Sequence, residues 1–600
     1  MRQIDRNSSA KRQGRGVSRR RFLQGVGLLG ALAGLGSALG CRGGQDGVAT
    51  TLERVIIWGE NGTLALGPGQ AYQVRTDLAE AKAGRERRRR SLAVFHHLTD
   101  FRLTDEESPL RSEWVESCPT PLATTAFRPQ ESLSAQAAAA MIAAANRIDR
   151  SPVTGRPVDF AVHTGNAADN GQYNELRWFL SVMDGGTVQP DSGSAGYEGV
   201  QRESPLGAYP DLLEEAQRPF LAAGLEYPWY AVLGNHDVLA QGNFSPSQEA
   251  NDIAVGTEKI IGIGAAAKDE VCQDPSKLLD PGSSERILRD PDTEVRQVTA
   301  DANRRLLSRK EWVAEHFKTG ERPGPAGHGF TPGNLEGRTA YYVVERGPVS
   351  FIVLDTVNPG GFAAGSMDAA QFAWLEEQLV ARSSRYLDTA GRTVTTTNED
   401  RLVVIVSHHT TEAMNNPFPG PSGEGERVRG PQVEELLRRF ANVVLHVAGH
   451  QLRQRITPRP DPTRHSQGYW EVTTGSPLDF PMQARLLEIV DNGDGTLSVF
   501  STVYDCAAPL KPGDAQDPSA DDGVNEMLLA SLARQAAAAD PQLDEEAAGL
   551  SPSDRNAELL MSAPFDLSGV TAAPPERAGA QAERRGVSRR DLLRVALKLP

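Results

Sequence analysis

Five short apolar runs, each ending in residues that carry chemistry, limit the folds open to this chain. They are Ser91–Thr99, Val158–Thr164, Trp229–Leu233, Leu402–Ser407 and Asn442–Ala448. In turn they deliver Asp100, Gly165-Asn166, Gly234-Asn235-His236-Asp237, His408-His409 and Gly449-His450. Runs of this length, rich in Val, Leu and Phe and bounded by Gly and Asn, read as buried strands. Open α/β sheets gather ligands at the C-terminal edges of their strands, so these polar residues are predicted to converge there. Helical stretches at Ala135–Ile148 and Val433–Phe440 precede two of the strands, an alternation that predicts an α/β fold.

Taken in order, the strand-terminal residues resemble the calcineurin-like metallophosphoesterases, whose pattern is D-x-H, G-D-x-x-D, G-N-H-D/E, a lone His and G-H-x-H. The resemblance spans roughly residues 90–505. Within it, Thr99–Pro109 and Leu354–Gly361 are similar to an exported branch of that family. The resemblance implies a four-layer αββα sandwich of two mixed β-sheets carrying a two-metal phosphoesterase centre.

The chain departs from the pattern at three positions. Asp100 stands, but Arg102 replaces the D-x-H histidine, Asn166 replaces the bridging aspartate and Leu452 replaces the last histidine. Two divalent cations held about 3.5–4 Å apart repel one another, and a shared carboxylate offsets that repulsion. The neutral amide of Asn166 bridges poorly, the guanidinium of Arg102 puts positive charge where a lone pair is needed, and Leu452 ligates nothing. All three changes fall on one metal position or on the bridge. The other position keeps Asn235, His408 and His450, with Asn166 as a neutral oxygen donor. One divalent metal (Zn, Fe or Mn) is therefore expected rather than two.

The resemblance also assigns roles. His236 matches the general acid that protonates the leaving oxygen, and Asp169 the carboxylate that orients it. Arg102 is placed to hold a phosphate oxygen where the missing ion would sit. Three readings follow: a metal-dependent phosphoester hydrolase with a reduced site, a non-catalytic relative that binds phosphorylated or anionic ligands at the cell envelope, and a surface scaffold for insertions. Retention of Asn235, His236, Asp169, His408 and His450 favours the first two. His97, His163 and His446 lie three or four residues upstream of site positions, about 10 Å back along strands at 3.3 Å per residue, and read as buried, hydrogen-bonded histidines.

The N-terminus carries Ser18-Arg19-Arg20-Arg21-Phe22-Leu23-Gln24 and then an apolar stretch from Gly25 to Gly40, which resembles a twin-arginine export signal. The stretch is short for a membrane span. Gly40-Cys41 fits a lipobox, although Ala38-Leu39 inverts its usual order, so lipidated Cys41 is the expected membrane attachment. Cys118, Cys272 and Cys506 show no metal-binding spacing, and two of them suit a disulfide in an exported chain.

A formal net charge of −15 argues against a general nucleic-acid binder. The basic run Arg85–Arg90 reads as an exposed linker, and Asp105-Glu106-Glu107 as a solvated acidic turn. The expected organisation is a signal over 1–41, an extension and basic linker over 42–90, the metallophosphoesterase-like domain over 91–506, and a low-complexity, partly helical appendage over 507–600. Within the domain, Gly185–Gly199 reads as a flexible loop, and the Gly- and Pro-rich gap after Asp237 as an insertion with a helix near Asp301–Phe317. Gly586–Leu593 echoes Gly16–Leu23, and we have no physical account of that echo.

Overall fold

In the computed structural model the described residues are 50–572 and 574, apart from 60–62, 118–125, 195, 274–289, 321–322, 421–424, 463, 465–466, 516–524, 541–542 and 544–550. The export signal, Cys41, Cys118 and the 586–593 echo lie outside them. Two mixed sheets form the centre. The larger, seven-stranded, runs in the order Gln73–Arg75, Ala557–Ser562, Thr496–Asp505, Gln483–Asp491, Arg90–Leu98, Phe160–His163, Trp229–Ala231. The smaller, six-stranded, runs Tyr342–Arg346, Val349–Val353, Leu402–Ser407, Val443–Ala448, Gly468–Thr473, Arg455–Pro460. Parallel pairing joins Arg90–Leu98, Phe160–His163 and Trp229–Ala231 in one sheet, and Val349–Val353, Leu402–Ser407, Val443–Ala448 and Gly468–Thr473 in the other.

Side-chain alternation sets the layers. Val349, Phe351 and Val353 face the central core with Leu402, Val404 and Val406, while Ile352, Val403 and Ile405 face outward. Across the interior, Phe351 of the smaller sheet meets Phe95 and Phe160 of the larger at ring-centroid distances of 5.2 and 5.0 Å. Outside the smaller sheet, helices Ala369–Ala381 and Gly430–Arg438 bury Leu375, Leu379, Val433, Leu436 and Leu437. Over the larger sheet lie helices Ser134–Arg147 and Tyr173–Asp184. The first is alanine-rich, and its small buried faces let it approach the sheet closely. The αββα sandwich is thus present. Among the described residues, no helix is long and apolar enough to cross a membrane.

Several segments differ from their sequence reading. The stretch expected as a partly helical appendage does carry its helix, Glu526–Ala539, but that helix packs on Ser134–Arg147, and the same stretch adds strand Ala557–Ser562 to the larger sheet beside Thr496–Asp505. Its outer neighbour, Gln73–Arg75, comes from the N-terminal extension. The basic run is no exposed linker: Arg85 and Arg89 pair with Glu558 at 2.9 and 2.8 Å, and Arg88 and Arg90 with Asp494 and Asp491. It bolts the C-terminal strand to the sheet. The loop 185–199 contains strand Gly186–Val188, paired with Phe220–Ala222. In the insertion the helix is shorter than expected, Arg309–Glu315, after a one-turn 3-10 segment at Ala302–Arg304. Cys272 is disulfide-bonded and Cys506 is a free buried thiol.

Asp105, Glu106 and Glu107 are buried rather than solvated. Asp105 accepts hydrogen bonds from Asn174, Ser192 and Arg304, and Glu107 from Gln217 and the Glu198 amide. Burial, with the Asp105 charge adding to it, pushes the Glu107 carboxyl up to about 8. The folded chain therefore holds a proton that the unfolded chain has released, so this contribution to stability is present below about pH 4.5 and is lost as pH rises towards 8. Glu107→Gln is expected to gain in melting temperature over the natural chain between about pH 5 and about pH 8.5. A gap in melting temperature that stays constant across that range would contradict the assignment.

Candidate metal and anion site

All five strand-terminal groups meet at one edge of the sandwich, where the parallel strands of both sheets end. Asp100 follows Arg90–Leu98, Asn166 follows Phe160–His163, Asn235 and His236 follow Trp229–Ala231, His408 follows Leu402–Ser407, and His450 follows Val443–Ala448. The turns that carry them are tight. Asp100, Arg102, His450 and Leu452 all have left-handed backbone, with φ of 52, 45, 67 and 54°. Such conformations are uncommon outside glycine and mark constrained loops.

The metal-binding half is defined by hydrogen positions. His408 Nδ1 lies 2.7 Å from the Thr164 carbonyl, which only accepts, so the proton sits on Nδ1 and Nε2 carries a lone pair. Asn235 donates its amide Nδ2 to the Gly242 carbonyl at 2.8 Å, which turns its Oδ1 the other way. That oxygen faces His408 Nε2 at 2.8 Å. Two lone pairs thus point at each other. Protonating His408 would relieve the conflict, but burial, and then His409 and His450, push its basicity well below the ordinary value. His450 adds a buried Nδ1 with no hydrogen-bond partner among the described residues, its ring centroid 5.1 Å from His408. His409 lies within the same cluster, yet both its nitrogens are committed, Nδ1 to Thr356 Oγ1 at 2.8 Å and Nε2 to the Ala363 carbonyl at 2.9 Å. Asn235, His408 and His450 are thus the residues whose lone pairs stay available here.

The other half holds charge of both signs. Arg102 is buried with Nε 3.6 Å from Asp100 and Nη1 3.8 Å from Asp169, and neither nitrogen makes a hydrogen bond among the described residues. Nearby, Arg128 is paired with Asp479 at 2.7 Å and adds positive potential at Arg102. Asp100, expected as a surviving ligand, is surrounded by donors. Its Oδ2 accepts from Thr99 Oγ1 and the His450 amide, and its Oδ1 from Asn166 Nδ2. Asn166, expected as a neutral oxygen donor, is also committed elsewhere. Its Oδ1 accepts the His236 amide at 2.9 Å, which fixes the Nδ2 group towards Asp100 at 2.9 Å. At that place it presents donors, not a lone pair. Leu452 offers no ligand atom, as expected.

His236 directs Nδ1 at the Asp169 carbonyl (2.8 Å) and carboxylate (3.2 Å), leaving Nε2 as the outward atom. Burial and then Arg102 lower its basicity to about 4, although Asp169 opposes both. Burial raises the Asp169 carboxyl, but Arg111, then His236 and Arg102, outweigh it and hold the group well below the usual carboxylate range. Arg111 is itself fully buried against Asp169, Glu131 and Glu113.

Sequence reasoning missed four positioning groups. Asp237 accepts from the amides of Ala167, Ala168 and Gly234, tying the Asn166 loop to the Asn235 loop. Gly242, at φ 68°, lies where a Cβ would overlap the His236 ring, so no side chain fits beside that ring. Glu175 holds the amides of Asp105, Asp169 and Asn170, and its signal was a carboxylate on the buried face of a helix. His409 was visible only as a doubled histidine. The upstream histidines are buried as expected: His97 bonds Thr164 and Thr474, and His446 bonds Ser407 and Glu471. His163 packs between Phe101 and Phe179, but its Nε2 has no hydrogen-bond partner among the described residues.

No model of a known protein family matches the chain, and no curated protein does either. Among solved structures, the chain is similar to a dimetal phosphatase from Danio rerio, at 11% identity and a TM-score of 0.29, over 69% of this chain and 96% of that one. It is also similar to the sulfate thiohydrolase SoxB of Thermus thermophilus solved with glycerol, at 12% identity and a TM-score of 0.26, over 74% of this chain and 61% of that one. Both scores fall below one half, and the reading of the site rests on its own geometry.

Proposed function

We propose that the chain hydrolyses phosphoesters with one divalent cation, held by Asn235, His408 and His450, and with Arg102 in place of a second. The opposed lone pairs of His408 Nε2 and Asn235 Oδ1 carry this reading. A cation held by both groups would turn the 2.8 Å conflict between their lone pairs into coordination. A borderline metal suits two imidazoles and an amide oxygen. When bound, it supplies Lewis acidity at a phosphoryl oxygen and lowers the pKa of attacking water.

The chain's own groups do the rest. Arg102, with two buried donors unpartnered, binds a phosphate oxygen by charge-assisted hydrogen bonds. The arriving anion favours protonation of His236, held by Asp169, and Nε2 then gives that proton to the leaving oxygen as the P–O bond breaks. The absence of a side chain at Gly242 makes room for the ring in this position. Export by the twin-arginine route and lipidation at Cys41 belong to the same proposal, supported by Ser18–Gln24 and Gly40-Cys41.

The alternative, a non-catalytic relative that binds phosphorylated or anionic ligands, is favoured by Asn166, whose amide nitrogen and oxygen are both hydrogen-bonded where a bridging carboxylate would act. Metal analysis with hydrolysis of a generic aryl phosphodiester separates the two. The natural chain is expected to hold about one equivalent of zinc, with activity lost by at least about a hundredfold in His236→Ala and metal lost in His408→Ala. Metal and anion binding without turnover would support the alternative. Two tightly held equivalents in the natural chain would overturn both.

A further inference from the structure

Phe362 and Phe418 are 46% and 51% exposed, though burying a phenylalanine is worth about 1.5–3 kcal/mol. Their rings stand together, with centroids 5.2 Å apart and planes at 32°. The backbone holds them out. Phe362 has φ 67°, an outlier for a bulky residue, fixed by its amide donating to the Asn243 carbonyl at 2.5 Å. Two buried asparagines lock the flanking loops: Asn416 donates to the carbonyls of Gly361 and Ala364, and Asn358 to the carbonyl of Phe418. Strain together with exposure, held by buried amides, marks a built surface rather than a loose loop.

The pair is continuous with the metal site. Gly242, beside the Asn243 that fixes Phe362, holds the Asn235 amide through its carbonyl. Ala363, the next residue after Phe362, accepts His409 Nε2. The backbone at Phe362 is thus one residue from the carbonyl that holds His409, and it is bonded to the neighbour of the residue that holds Asn235. Two rings cover far less than the roughly 800 Å² per partner that a stable protein interface needs. They leave exposed apolar ring surface on the scale of one organic group.

We propose that Phe362 and Phe418 form a stacking platform for the group esterified to the phosphate, and that this group is an aryl or similarly flat ring. The proposal rests on the phosphoester reading of the neighbouring site. Stacking on such a face adds about 0.5–1.5 kcal/mol beyond area burial.

Calorimetric titration of the zinc-loaded full chain with phenylphosphonate and methylphosphonate tests it. Phenylphosphonate is expected to bind about tenfold more tightly. In Phe362→Gly/Phe418→Ala the ratio should fall to within about twofold, with methylphosphonate affinity, zinc content and melting temperature retained. Glycine relieves the positive φ at 362, so the variant keeps its fold. Equal affinities in the natural chain, or an aryl preference that survives the double substitution, would overturn the platform. If neither phosphonate binds, the phosphate reading fails, and titration with phenol decides the platform alone. Phenol binding lost in the double variant supports it, and no phenol binding overturns it. Self-association that the double variant abolishes would make the rings a contact between copies and also overturn the proposal.

Discussion

Arg111→Met is expected to destabilise the fold by about 3–5 kcal/mol, the scale seen when one partner of a buried charge network is removed. Arg111 is buried and reaches Glu131 at 2.8 Å, Glu113 at 3.2 Å, the Ala126 carbonyl at 3.2 Å and the Asp169 carboxylate. Lys259, 2.8 Å from Glu113, compensates only one of these acids. Burial, with the Glu113 and Asp169 charges adding to it, pushes the Glu131 carboxyl up even with Arg111 opposing it. Urea unfolding at neutral pH should show a lower midpoint with an unchanged slope. Arg111→Lys recovers part of the loss, because an ammonium cannot reproduce the planar fork that serves three acids. A loss below about 1 kcal/mol in Arg111→Met would mean that the carboxylates find other partners.

Restoring the three altered positions together, Arg102→His, Asn166→Asp and Leu452→His, is expected to raise bound zinc from about one to two equivalents per chain. The backbone already suits the change, since positions 102 and 452 hold left-handed φ of 45 and 54°, a region where histidine is enriched and leucine is not. Asn166→Asp removes a donor that now faces Asp100 at 2.9 Å and sets two buried carboxylates against each other. Without metal, the variant should melt below the natural chain. Zinc at a thousand times its dissociation constant should return about 4 kcal/mol. Metal content by mass spectrometry and scanning calorimetry give both readouts. A variant that still holds one equivalent would show that the second position is lost for reasons beyond these side chains.

The strand ends were legible because buried parallel strands write themselves as unbroken apolar runs, and the residue after each run is placed by that alone. The roles of Asp100 and Asn166 were not. Their donors come from the amides of His450 and His236, set by loop geometry that no spacing encodes. Asp105-Glu106-Glu107 reads as a solvated turn until Arg304, Ser192 and Gln217, remote in sequence, are seen to close over it. Phe362 and Phe418 were silent as well, since an exposed aromatic carries no local signature.

The pairing of Ala557–Ser562 with Gln73–Arg75 has a consequence for the order in which the molecule can be made. Nearly the whole chain separates these partners, so the larger sheet stays open until synthesis has passed residue 562. Until then Thr496–Asp505 is a bare edge, ten residues long, its outer hydrogen-bonding groups unmatched and able to recruit other chains. Contacts this distant close late and slowly. The larger sheet therefore closes only once residues 557–562 have been made. For a chain that we propose leaves the cell already folded, the last strand is the step that makes it ready to go.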